Sequence, residues 1–153
     1  MAVKIDTRRL RKRFEQLQKN LNSANDRKAL GKFVIDTIVE RTRGKGKGVN
    51  SPGGAQVKLR KVTKKWADRR KKFSRHPKAA TGTNSNLTFQ GTLLDQLALL
   101  KATKSEIIIG YRSSKQEKKA EGQAAQGRKF LFLSRGEIAD AAKFVRNNIL
   151  KNV

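Results

Sequence analysis

Not one cysteine occurs in the 153 residues, which excludes disulfides, thiolate metal sites and cysteine nucleophiles together. Histidine is almost as scarce. His76 stands alone, so histidine-based metal sites are excluded, and a Ser-His-Asp arrangement would have to run through a residue next to Pro77. Acidic residues number 12 against 37 Lys and Arg. In the last third they are Asp95, Glu106, Glu117, Glu121, Glu137 and Asp140, scattered with no spacing that predicts paired acid/base carboxylates. No Gly-x-x-x-x-Gly-Lys-Ser/Thr run is present to cradle a phosphate. The chain therefore reads as a non-enzyme, with no cofactor, no metal and no small-molecule substrate. It also lacks an apolar run of about 18 residues and an apolar signal core after Met1, which predicts a soluble, unexported protein with no membrane partner.

What is abundant is positive charge, a formal +25. Its distribution is uneven: residues 1–80 carry 25 basic and 6 acidic residues, residues 81–153 carry 12 and 6. A compact chain so charged repels itself, so an anionic partner or an assembly with acidic neighbours is expected. Hydrophobic residues make up 36%, with one Trp, one Tyr and seven Phe, enough for a modest core. The length suits one domain over 1–153, divided into an N-terminal helical part (1–43), a flexible Gly-rich loop (44–56), a basic helix or arm with a loop (57–86) and an α+β core with a C-terminal helix (87–153).

In chain order, Asp6 or Thr7 is placed to cap a helix carrying Leu10, Phe14, Leu17 and Leu21 at helical spacing. Ser23 or Asn25 opens a second, with Leu30, Phe33, Val34, Thr37, Ile38 and Arg41 along one side. Five glycines and Pro52 between Arg43 and Gln56 predict a mobile loop. A third amphipathic segment carries Leu59, Val62, Trp66 and Phe73, with Trp66 and Phe73 assigned to core or interface. The candidate partner or DNA contacts lie in these basic arms: Arg43, Lys45, Lys47, Lys58, Arg60, Lys61, Lys64, Lys65, Arg69, Arg70, Lys71 and Lys72. Pro77, Gly82 and a Thr-Asn-Ser cluster then predict a loop over 74–86.

The last third organises the chain. Leu87–Leu100 reads as a short helix running into a strand at about 97–101, joined through Thr103-Lys104 to a strand over Glu106–Tyr111. Ile107, Ile108 and Ile109 show no alternation, which predicts cover on both faces. The segment 111–127 is polar, with a surface helical turn at 115–121. Gly127 precedes Arg128-Lys129-Phe130-Leu131-Phe132-Leu133, and Ser134 with Glu137 forms the Ser-x-x-Glu spacing of a capping box. Ile138, Ala141, Ala142, Val145, Ile149 and Leu150 then form an apolar stripe. The predicted class is α+β: a small antiparallel or mixed sheet packed by helices, with basic N-terminal helices and long flexible loops.

The order of these motifs resembles the tail-completion or virion-morphogenesis proteins of tailed bacteriophages. Their pattern runs from a Gly-x-Leu step through a Val/Ile-rich strand ending in Gly to an Arg-Pro-Phe-Leu step, then Ser and a final helix. The matching positions are Gly91, Leu93, Ile107, Ile109, Gly110, Gly127, Arg128, Phe130, Leu131 and Ser134; Lys129 departs from the family's Pro. The match covers mainly residues 87–150. It implies a structural virion protein, without catalysis, that forms a homo-oligomeric ring at the phage neck or head-proximal tail end, as tail completion, terminator or connector protein. Sixfold symmetry is the expectation by analogy and twelvefold the alternative. Adjacent neck, portal-side and tail proteins would be its partners, with DNA in the lumen as a further one. Such a protein is assembled in the host cytoplasm and resides in the virion. The competing reading is a stand-alone basic nucleic-acid-binding protein, favoured by charge but without zinc-finger, RNA-recognition or helix-turn-helix signatures.

Overall fold

The computed structural model describes residues 3–6, 23–88, 91–104 and 106–149. The predicted helix with Leu10, Phe14, Leu17 and Leu21 lies outside the described residues. Three antiparallel strands form the main sheet in the order β1 (Val3–Asp6), β5 (Glu106–Gly110), β4 (Ala98–Ala102). The central strand is the isoleucine run, and it pairs on one side with a strand a hundred residues away in the chain: Val3 opposes Ile109 and Asp6 opposes Glu106. On the other side β4 and β5 form the expected hairpin, with a register shift between Leu99 and Lys101.

Alternation overrides the expectation that both faces of β5 are covered. Ile107 and Ile109 are buried while Ile108 is half-buried. On its outer face Ile108 stands in register with exposed Lys101, whose ammonium reaches Glu106 at 2.6 Å.

The inner face is closed by α1 (Ala24–Val39), against which α5 (Arg135–Phe144) packs. Ser23 caps α1 by accepting from the Asn25 N–H, and Leu30, Val34 and Ile38 recur at helical spacing to enter the core. Gly31 lets α1 approach β4 closely, since a Cβ there would lie 2.8 Å from the Leu99 side chain. α5 adds Ala141, and its π-helical continuation Val145–Ile149 adds Val145 and Ile149. Phe33 and Phe144 stack with centroids 4.5 Å apart. Phe130, 1% exposed, fills the centre together with Leu131 and Leu133, as expected of the segment leading into the capped helix.

Three segments depart from expectation. Residues 44–56 are not a loop throughout: Lys47–Val49 is a strand, β2, paired antiparallel with β3 (Gln56–Lys58). Gly48 makes this hairpin fit, because a Cβ there would lie 2.0 Å from the Lys129 carbonyl oxygen, while the next amide, Val49 N–H, donates to that oxygen. The basic helix is shorter than its apolar pattern and forms α2 (Lys64–Phe73), capped by Thr63. The surface turn at 115–121 is a full helix, α4 (Ser114–Ala125), burying Ala120 and Ala124. Between these, α3 (Thr92–Asp95) starts at Gly91, whose φ of 83° favours glycine. The sheet is antiparallel throughout, and α+β is the class.

Candidate partner-binding surface

Two kinds of cation emerge once side chains are placed. The first kind is built into the fold. A π-helical turn (Glu40–Gly44) continues α1 and carries Arg41 inward, where it is 3% exposed. Its Nη1 donates to Glu137 Oε2 at 2.7 Å and to the Phe132 carbonyl at 3.0 Å, and its Nη2 donates to the Phe130 carbonyl. Burial lowers the Arg41 pKa and the Glu137 carboxylate opposes that shift; the guanidinium stays charged.

Glu137 serves three elements at once. Its Oε2 accepts from the Ser134 N–H at 2.8 Å, completing the capping box of α5. Its Oε1 accepts from Gln56 Nε2 of β3 at 3.3 Å. The capping role was legible; the buried ion pair was not.

Two of the candidate contacts, Arg70 and Arg43, are held within the fold. Arg70 is 5% exposed, its Nη2 donating to the Gly82 and Asn84 carbonyls at 2.6 and 2.8 Å, and burial lowers its pKa. It pins α2 to the 74–88 loop, so the helix is not a detached arm. Arg43 is half-buried and donates to Asp95 Oδ1 at 2.6 Å. The loop is organised by Asn86, a residue that no motif singled out. Its Nδ2 donates to the Arg43 and Lys78 carbonyls, and its Oδ1 accepts from Ala80 and Thr88. Arg128 likewise ties α4 to the strand exit. It donates to the Arg60 and Lys61 carbonyls at 2.9 and 3.3 Å and to Gln123 and Gln126, its pKa lowered by burial and by Arg60.

The second kind faces outward. Lys45, Lys58, Arg60, Lys61, Lys64, Lys65, Arg69, Lys71 and Lys72 are exposed and Lys47 is half-buried. With them stand Trp66 at 40% and Phe73 at 55% exposure; of the two places expected for these rings, core or interface, the core is excluded. Beside Trp66 opens a cavity of about 580 Å³ between α2, α4, residues 85–88 and the start of α3. The motif residues are structural: Gly110 is buried opposite Ala98, Leu93 is half-buried at the cavity, and Gly127 turns the chain at φ 77°. Among the described residues no group of three or more His, Asp or Glu side chains is placed to hold a metal ion, and no helix is long and apolar enough to cross a membrane.

Fold and surface together define a small α+β protein whose inner arginines are structural and whose outer cations gather around one aromatic-bearing helix. No family model matches the chain, and neither does any curated protein or solved structure.

Proposed function

We propose that the chain is a non-catalytic structural subunit that closes into a ring at the neck or head-proximal tail end of a tailed phage, acting as a completion, terminator or connector protein of the virion. The observation that carries this reading is the motif series from Gly91 to Ser134, whose members all serve one packed unit. Gly91 starts α3, Ile107 and Ile109 face the core, Phe130 fills its centre, and Ser134 caps α5. A resemblance confined to short motifs gains weight when the motifs turn out to be the joints of a single core.

The surface supports the reading too. Among the described residues β4 is an edge strand of the main sheet, and Leu100, at its register shift, is 40% exposed. An open edge bearing an exposed leucine is suited to a neighbour, and a head-to-tail contact repeated about an axis closes into a ring.

Native mass spectrometry of the purified protein, together with electron microscopy of particles containing it, tests the proposal. A closed assembly of six or twelve copies is expected. A monomer in solution that also occurs as a single copy in its particle, or in no particle, overturns it.

A further inference from the structure

We infer that the outer face of α2 is a binding site for single-stranded nucleic acid, with Trp66 and Phe73 stacking on bases and the surrounding cations holding phosphates. This rests on α2 and its immediate surroundings and does not require the ring. Four observations converge on it. Trp66 and Phe73 stand seven residues apart, two helical turns and about 10 Å along one flank, and both are exposed. Each carries a cation over its ring: the Arg69 guanidinium lies 5.6 Å from the Trp66 centroid and Lys72 Nζ 5.3 Å from that of Phe73. Flat rings beside cations offer a base its π-face and its phosphate a counter-charge at once.

The third observation is that folding gives no reason for these charges. Lys64 and Lys65 occupy the first turn of α2, which contains no acid. Cations there oppose the helix dipole and weaken the helix. Asp68 is the one carboxylate in α2, so the outward cations have little local compensation. The fourth is the anchoring. Arg70 fixes the inner side of α2 through two backbone carbonyls, so the outer side is presented on a held scaffold. The cavity of about 580 Å³ beside Trp66, lined in part by Thr63, Thr88 and Gln123, gives an unpaired base room next to the indole. An acidic protein segment would satisfy the cations but has no need of two exposed rings.

Trp66 is the sole tryptophan, so its fluorescence reports on this face. The full chain is titrated with an oligothymidylate of about 20 nucleotides, a duplex of equal length and polyglutamate. The single strand is expected to quench Trp66 and to bind more tightly than either competitor. Replacing Lys64, Lys65 and Lys72 by Ala should lower the salt slope of log affinity by about 2, at roughly 0.7 per lost phosphate contact. Phe73→Ala, at an exposed position, should weaken binding roughly tenfold or more with the slope unchanged. Polyglutamate binding as tightly as the oligothymidylate overturns the inference. So does equal quenching by the duplex, oligothymidylate binding with unchanged Trp66 emission, or unchanged affinity in Phe73→Ala.

Discussion

Tyr111 shows how one buried polar atom sets a pH limit. Its hydroxyl is buried with no hydrogen-bond partner among the described residues, and burial pushes the phenol above its ordinary value of 10.0. The folded chain thus holds that proton more firmly than the unfolded chain does. The stabilisation is fully present below pH 10 and is lost as pH rises beyond it. Tyr111→Phe removes both the unpaired hydroxyl and this alkaline loss. At neutral pH it should leave stability unchanged or raise it by about 1 kcal/mol, and above pH 10 its advantage over the parent should widen. Urea unfolding of both proteins at the two pH values checks this; a variant that is clearly less stable at neutral pH contradicts it.

Between elements, the decisive joint is Arg41 with Glu137, which links the end of α1, the start of α5 and β3. Glu137→Ala strands a buried guanidinium and uncaps a helix, so a loss of about 3–5 kcal/mol is expected. Arg41→Met/Glu137→Ala should cost clearly less than the sum of its single changes, because the second substitution removes the charge the first left bare. Additive losses in urea unfolding would mean the two groups do not act as a pair. Legibility in the sequence divides at this scale. The β4–β5 hairpin and the Ser134 capping box were readable because their signals lie within a few residues of each other. β1 was not, since its partner lies a hundred residues away. The β2–β3 hairpin depends on Gly48 meeting the Lys129 carbonyl, and α4 buries only small side chains such as Ala120 and Ala124, a stripe too weak to stand out. The cations failed for a related reason: Arg70 and Arg69 are neighbours of identical chemistry, and only backbone carbonyls twelve and fourteen residues further on separate anchor from surface.

For the whole molecule, charge is the governing quantity. A formal +25 against a small core makes mutual repulsion a large fraction of the margin that keeps the chain folded. Screening should relieve it: raising sodium chloride from about 10 mM to about 1 M shortens the Debye length from about 30 to about 3 Å, so the unfolding temperature should climb by several degrees. A flat or falling temperature in calorimetry would show that the outward cations are already neutralised within the fold.

The pairing of β1 with β5 has a consequence for how the protein comes into being. In a growing polypeptide residues 3–6 emerge about a hundred residues ahead of their hydrogen-bonding partners at 106–109, and Arg41 well ahead of the carboxylate at 137 that neutralises it. Until then the emerging segment is a strongly cationic, half-finished chain facing ribosomal RNA. The main sheet and the Arg41–Glu137 joint therefore close only after the segment from 106 to 137 has been made.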